Sequence, residues 1–214
     1  MTKLRATMAI SLDGYGAGPD QSLEEPLGVG GEHLHDWMVP LDVFKEMHGD
    51  RSPGETNASS AVVRAWWENL GAVLMGRNMF GGGPGPWHDD WRGWWGEDPP
   101  YHVPVFVLTH HEREPLEMQG GTTFSFVTDG IEAAFERASE AAAGADVRLM
   151  GGVSTIRQYL NAGLVDDIEL SISPLLLGAG ERLFDGVEGV ELEQVRAVEA
   201  PGVTHIRYRV VRAA

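Results

Sequence analysis

Two stretches of this 214-residue chain share one chemical pattern. Ala72-Val-Leu-Met-Gly76-Arg77 and Val147-Arg-Leu-Met-Gly151-Gly152 each read as a buried strand running straight into glycine and then into a helix. Such a junction aims free backbone N–H groups, and the positive end of the helix dipole, at whatever lies beyond the strand. Glycine also lets a ligand approach the backbone closely. Two junctions in one sheet can grip the two phosphates of a dinucleotide. The same glycines also suit the tight strand–helix turns that any α/β protein needs, and both roles stand. Neither junction has the spacing G-x-G-x-x-G or G-x-x-x-x-G-K-S/T, so the ordinary dinucleotide and P-loop patterns are excluded.

Other reactive side chains give weaker patterns. His33 and His35 are two apart, a strand spacing, with no third histidine near them in sequence, so no metal site is expected. His110-His111 beside a strand end suits a phosphate contact or plain surface, and His88-Asp89-Asp90 reads as a solvated loop. Trp87, Trp91, Trp94 and Trp95 fall within nine residues. They can stack on a flat heterocycle, seal a dimer interface or, the reading favoured here, pin a glycine-rich loop as a satellite core. Trp66 and Trp67 are adjacent and cannot share one helix face. The chain has no cysteine, which excludes disulfides, thiolate metal sites and a cysteine nucleophile. The net charge of −16 weighs against nucleic acid and anionic membrane as partners. No apolar run approaches a membrane span or a signal peptide, so a cytoplasmic protein is expected.

The elements that must position these groups follow from periodicity. Leu4, Ala6, Met8, Ile10 and Leu12 alternate as a half-buried strand that ends at Asp13-Gly14. Residues 14 to 36 read as a long loop, and 37 to 48 stay ambiguous, with Pro40 able to open a short helix. Ser59 or Ser60 caps a helix to Leu70, with Gly71 as its stop. Strands follow at 72–75, 103–108 and 122–127. Asp129 then caps a helix to Ala143, with Glu132 completing the box. A strand at 147–150, a helix to about Asn161, a strand at 165–173 and a final antiparallel pair at about 190–198 and 203–211 complete the order. Helices alternating with strands imply parallel crossovers. The expectation is one domain over 1–214, an α/β fold with a mixed, mostly parallel sheet of about eight strands and antiparallel C-terminal strands.

The ordered set of motifs resembles the dihydrofolate reductase superfold. The motifs are Met8-Ala-Ile-Ser-Leu-Asp-Gly14, Val73-Leu-Met-Gly-Arg-Asn-Met-Phe80, Val107-Leu-Thr-His-His111 and Leu149-Met-Gly-Gly-Val-Ser-Thr155. Val165-Asp-Asp-Ile-Glu-Leu and Pro174-Leu-Leu-Leu-Gly-Ala-Gly-Glu-Arg-Leu-Phe184 make it most similar to the reductase domain of the bifunctional riboflavin-biosynthesis deaminase-reductase and its stand-alone relatives. The resemblance implies an NADPH-dependent reductase, a homodimer, and a substrate such as 5-amino-6-(5-phosphoribosylamino)uracil. A pteridine, as in dihydrofolate reductase, or dinucleotide binding without turnover are the alternatives. It implies that Gly76, Arg77 and Asn78 hold the cofactor phosphates from one side and Gly151, Gly152, Val153, Ser154 and Thr155 from the other. Thr109 and His110 lie where the family holds the adenosine ribose and its 2′-phosphate, with Arg77 the best candidate for a charge-assisted bond to that phosphate, a surface salt bridge being its other reading. Ala9, Asp13 and Gly14 would line the nicotinamide end. Asp36 is the nearest match to the family's acidic catalytic residue, a helix cap or solvated carboxylate being the other reading, and Trp37 beside it would bind substrate. Arg92, Arg113 and Arg182 are open candidates for a substrate phosphate. The family's zinc deaminase half needs two cysteines, and with none in these 214 residues reductase activity alone is expected.

Overall fold

The computed structural model describes residues 2–88 and 90–212. Among the described residues there are eleven strands and five α-helices: β1 (Leu4–Ser11), β2 (Tyr15–Ala17), α1 (Asp42–Met47), α2 (Ala58–Trp66), β3 (Leu70–Gly76), α3 (Arg77–Phe80), β4 (Pro104–Leu108), β5 (Leu116–Glu117), β6 (Thr123–Val127), α4 (Ile131–Ala141), β7 (Asp146–Leu149), α5 (Val153–Asn161), β8 (Asp167–Ser173), β9 (Glu181–Arg182), β10 (Val190–Ala200) and β11 (Val203–Arg212). Nine strands form one sheet in the order β10-β11-β8-β1-β7-β3-β4-β6-β5. The central pairs from β8 to β6 are parallel; β10 with β11, β11 with β8, and β5 with β6 are antiparallel. The fold is the dihydrofolate reductase-like α/β architecture expected, with one strand more in the main sheet.

Alternation along β1 decides what each face of the sheet carries. Leu4, Ala6 and Ile10 point into an apolar core with Leu74, Val147, Leu149 and Ile168, closed by α4 and α5. Along α5, Val153, Ile156, Tyr159 and Leu160 supply the inward stripe at helical spacing. Fully burying each aliphatic chain contributes about 1.5–3 kcal/mol relative to exposure. Burial raises the Tyr159 phenol pKa well above its ordinary value, and its hydroxyl donates to the Ile131 carbonyl at 2.9 Å. The opposite face carries two further clusters. One packs Val73, Met75, Val105, Val107 and Phe124 under Phe80 and Tyr101. The other packs Trp37, Leu41, Val43, Val62, Val63 and Trp66 beside Val203.

Several element boundaries differ from the sequence reading. Asn57, not Ser59 or Ser60, caps α2: its side-chain oxygen accepts from the Ser59 amide at 2.8 Å, and Ser60 Oγ accepts from the Asn57 amide at 3.3 Å. That helix ends at Trp66, and Gly71 lies inside β3, packed against Ala142 so closely that a Cβ would sit 2.7 Å from its backbone. Gly130 takes the position given to Asp129 at the start of α4, with φ 97°, and Asp129 instead pairs with Arg137. The helix after Pro40 starts at Asp42, whose carboxylate accepts from Ser60 Oγ and Thr56 Oγ1, both at 2.9 Å. Residues 14 to 36 contain β2, which pairs antiparallel with β9 in a small separate ribbon. No described helix is long and apolar enough to cross a membrane.

Candidate active-site cleft

The two glycine junctions come together at the carboxyl ends of β3 and β7, which are adjacent and parallel. This edge of a parallel sheet, where chain order changes direction, is where α/β proteins bind ligands. A cleft of about 1050 Å³ opens there. Its floor is made by residues just past four neighbouring strand ends: β3, β4, β6 and β7.

The junctions are joined to each other. The Gly76 amide donates to the Gly151 carbonyl at 2.8 Å, across a cis Gly151–Gly152 peptide. A Cβ on Gly76 would sit 2.2 Å from Thr155 Oγ1, so only glycine lets β3 and α5 meet this closely. Gly152 differs: a Cβ there would meet nothing within 4 Å, so open space faces its backbone. No side chain caps α5. Its first internal bond runs from the Ile156 amide to the Gly152 carbonyl, which leaves the amides of Val153, Ser154 and Thr155 at the cleft wall. Uncapped amides at a helix start suit an anion. The cradle therefore fits a dinucleotide pyrophosphate.

Arg77 lies at the same end. Its Nε donates to the Gly81 carbonyl at 3.3 Å, Nη2 to the Gly83 carbonyl at 2.9 Å and Nη1 to Thr109 Oγ1 at 3.4 Å. Its guanidinium carbon lies 3.2 Å over the Trp87 ring. Burial, with Arg113 nearby, lowers its pKa from the ordinary value. Three of the five guanidinium N–H groups are thus engaged, and two remain for a ligand. Thr109 Oγ1 also accepts from the His111 amide at 3.2 Å, which orders the turn that leaves His110 exposed at the rim.

The other half of the cleft is aromatic. Trp37, Phe44, Trp66, Trp67, Trp95 and Tyr101 belong to its wall. Trp37 is buried, donates Nε1 to the Leu34 carbonyl at 3.0 Å and packs edge-on to Trp66 at 6.3 Å. Trp67 lies 6.1 Å from Tyr101, which lies 5.1 Å from Trp95. His35 sits in the same wall with Nδ1 buried and unbonded. Burial holds its imidazole below the ordinary pKa, against the opposing pull of the Asp36 carboxylate.

Of the residues expected from sequence, Ala9, Trp37, Gly76, Arg77, Asn78, Thr109, His110 and Gly151 through Thr155 line this one cleft. Asp13, Gly14 and Asp36 do not. Asp13 is a clamp: it accepts from Ser11 Oγ at 2.6 Å and from the amides of Gly178 at 2.8 Å and Leu177 at 3.1 Å, tying the end of β1 to the 174–180 loop. The Ser11 hydroxyl and these amides hold its carboxyl below the ordinary range. Asp36 is exposed, with 69% of its side chain in solvent, and bonds to His33 Nδ1 at 2.9 Å. At this turn the wall is built by its neighbours His35 and Trp37 instead.

The tryptophan-rich loop serves both as anchor and as wall. Trp87 Nε1 donates to the His111 carbonyl at 2.8 Å and Trp91 Nε1 to that of Phe80 at 3.1 Å, while Trp94 and Trp95 reach the cleft. His88-Asp89-Asp90 is interrupted by Asp89, which lies outside the described residues. Sequence reasoning missed Phe44, Met47 and His48, although their i, i+3, i+4 spacing marks one face of a helix. It also missed Tyr101, Thr128 and Ile131, which carry no local signal. Among the described residues no three His, Cys, Asp or Glu side chains gather as metal ligands.

A family model, the RibD C-terminal domain, matches residues 2–206. The Bacillus subtilis protein YyaP, itself uncharacterized, is 30% identical over 118 residues. That match takes in 52% of this chain and 62% of YyaP, less than two thirds of the relative's length. Among solved structures, a candidate riboflavin biosynthesis protein from Shewanella sp. PV-4 aligns with a TM-score of 0.63 and 22% identity, over 99% of this chain and 100% of that one. The riboflavin biosynthesis reductase of Saccharomyces cerevisiae aligns at 0.55 and 14%, over 98% and 90%. Enterococcus faecalis dihydrofolate reductase, solved with NADP(H), aligns at 0.55 and 12%, over 97% and 96%. At these identities the structures establish the fold.

Proposed function

The chain belongs to the RibD C-terminal domain family, and we propose on that basis that it is an NADPH-dependent reductase acting on a planar heterocyclic or ribosylamino substrate. The observation that carries the reading is the paired cradle: uncapped amides of Val153, Ser154 and Thr155 facing open space at Gly152, with Arg77 beside them. When bound, NADPH supplies a hydride from C4 of its nicotinamide. The protein's part is to orient the two reactants and exclude water. Asn78 and the α5 amides hold phosphate, with Gly76 letting α5 approach β3 closely; Thr109 and the two remaining N–H groups of Arg77 meet the 2′-phosphate end; Ala9 flanks the nicotinamide. The aromatic half, with Trp37, receives the substrate. The sequence's finer assignments, to 5-amino-6-(5-phosphoribosylamino)uracil or to a pteridine, share this geometry and differ in the charge they demand of that half.

The first experiment is a thermal scan with NADPH and, in parallel, NADH. A ligand at about 100 times its Kd adds roughly 2.7 kcal/mol, or ~5–10 °C for a chain of this size. The expected result is a shift of that order with NADPH and a smaller one with NADH. No shift with either removes the reductase reading. A homodimer is part of the proposal. β10 is an edge strand eleven residues long that exposes Leu192 and Val195, an edge that pairing with a second copy would cover. Sedimentation at a single monomer mass refutes it.

A further inference from the structure

The wall of the cleft is poor in cations and rich in sulfur, and the meaning of the sulfur rests on the cradle holding a nicotinamide dinucleotide. Among the described residues of the wall, Arg77 is the one Lys or Arg. Arg92, Arg113 and Arg182 lie outside it: Arg92 donates to the Glu117 carbonyl, Arg113 to that of Trp91, and Arg182 lies over the Tyr15 ring. Methionine shows the reverse. Five of the chain's eight, Met8, Met38, Met47, Met79 and Met150, belong to the wall. Each is half-buried, so part of its side chain meets solvent. Met75, by contrast, is fully buried in the core. Met118 is half-buried outside the cleft, its Sδ accepting from Arg92 Nη2 at 3.3 Å. The chain has no cysteine, so these thioethers are the sulfur groups that meet an oxidant.

Two of these sulfurs converge on the cradle. Met8 reaches it from β1 and Met79 from α3. Met79 Sδ lies 3.3 Å, and Met8 Sδ 3.8 Å, from the point where a Cβ on Gly151 would stand. The Met8 methyl lies against Gly16, 2.5 Å from the Cβ position there, so the side chain fills the gap between two glycines of the wall. Gly151 leads directly into the open backbone of Gly152 and the uncapped start of α5. Met38 and Met47 lie elsewhere, packed against the cluster of Trp37 and Trp66. A thioether is a flexible apolar filler, whereas its sulfoxide is polar and carries one more oxygen. That oxygen is an acceptor with partial negative charge. Beside amides that must bind phosphate, it competes for the donors and opposes the anion.

We propose that Met8 and Met79 form an oxidation site that governs cofactor binding. A hydroperoxide converts either thioether to the sulfoxide, the sulfoxide weakens the hold on the dinucleotide, and bound dinucleotide shields both sulfurs. In the step, a sulfur lone pair attacks the outer oxygen of the peroxide. The S–O bond forms as the O–O bond breaks, and the outer oxygen's proton passes to the departing oxygen. Sulfur gives up two electrons, and the peroxide is reduced to an alcohol, or to water from hydrogen peroxide.

The test treats the folded protein with hydrogen peroxide, with and without NADP+, at a dose that leaves the buried Met75 reduced. Peptide mass spectrometry reads each methionine. NADP+ at about 100 times its Kd leaves about 1% of the cradle free. Oxidation of Met8 and Met79 should then slow by about tenfold or more, while Met38, Met47 and Met118, outside the cradle, keep their rates within about twofold. Protein oxidised without cofactor, then freed of peroxide, should keep about a third or less of its NADP+ thermal shift. The double variant Met8→Leu, Met79→Leu conserves side-chain volume and should keep its own untreated shift after the same dose. Four results overturn the proposal: both sulfurs stay reduced while Met118 oxidises; NADP+ slows every methionine alike; the shift survives oxidation of both sulfurs; or the double variant loses its shift as the parent does. Should the double variant fail to fold, the site-by-site rates and the shift of the parent protein decide. No NADP+ or NADPH shift before any peroxide refutes the reductase reading itself, whereas a shift present before and unchanged after refutes this proposal alone.

Discussion

Gly152→Ala isolates cofactor binding from folding. Gly152 has φ −79° and ψ −173°, a conformation that alanine adopts freely, and its new Cβ would meet no protein atom within 4 Å. The apo protein should therefore keep its stability within about 0.5 kcal/mol, ~2 °C or less in Tm. Gly152 lines the same cleft as Val153, Ser154 and Thr155, so the methyl competes for the space that the proposed phosphate would take. A phosphate held there must retreat by about the radius of a methyl group, which breaks short charge-assisted bonds. If affinity falls a hundredfold, NADPH at 100 times the parent Kd is only equal to the variant's Kd. The stabilisation then drops from roughly 2.7 to about 0.4 kcal/mol, and the Tm shift from ~5–10 °C to ~1–2 °C. Differential scanning calorimetry of both proteins, with and without NADPH, reads both quantities. Gly76→Ala is the control with the opposite pattern. Its Cβ would sit 2.2 Å from Thr155 Oγ1, so overpacking should lower apo stability by about 1–3 kcal/mol. A full NADPH shift in Gly152→Ala, with parental apo Tm, would refute the argument that this backbone faces the cofactor.

Individual side chains give three further tests. Asp36→Asn should leave turnover unchanged, because the carboxylate is exposed and bonded to His33 rather than set in the cleft; a loss of tenfold or more in kcat would restore it to the mechanism. Arg77→Lys should shrink the difference between the NADPH and NADH shifts and lower Tm by a few degrees. A lysine cannot keep the fork to Gly81, Gly83 and Thr109 or the stack on Trp87, and an unchanged NADPH preference would place the 2′-phosphate elsewhere. His205 sets an acid limit on stability. It is fully buried between Ser59 Oγ at 2.8 Å and Ser171 Oγ at 2.9 Å, and burial, with Arg196 nearby, lowers its pKa to about 4. The unfolded chain takes up this proton below about pH 6.5 and the folded chain only near 4. The stabilisation is thus complete above pH 6.5 and falls between 6.5 and 4, by on the order of 3 kcal/mol. Urea unfolding at pH 7 and pH 4.5 should show this loss, and His205→Gln should show much less; equal pH dependence in both would exclude His205 as the cause.

Much of this molecule is legible in one dimension because its signals are local. Alternation from Leu4 to Ile10 marks a strand between two different faces, and the two strand–glycine junctions announce the cradle because close approach demands glycine there. Capping was harder to read. Asn57 and Ser60 compete with Ser59 for the same role, and the winner depends on where the preceding loop enters α2. The substrate half was the least legible. His35 and Asp36 are adjacent, and only the turn that buries Leu34 against β8, where Ser173 Oγ donates to its carbonyl at 2.9 Å, decides which neighbour faces the cleft. Trp37, Phe44, Trp67 and Tyr101 lie on separate segments, so their meeting is a product of the sheet order and of long-range packing. Strands, junction glycines and family motifs are written in the chain itself, because each depends on neighbours within a few residues. Which polar groups stay unpaired, and which cations are already engaged, is settled only on folding, because those hydrogen bonds and charge pairs join residues far apart in the chain.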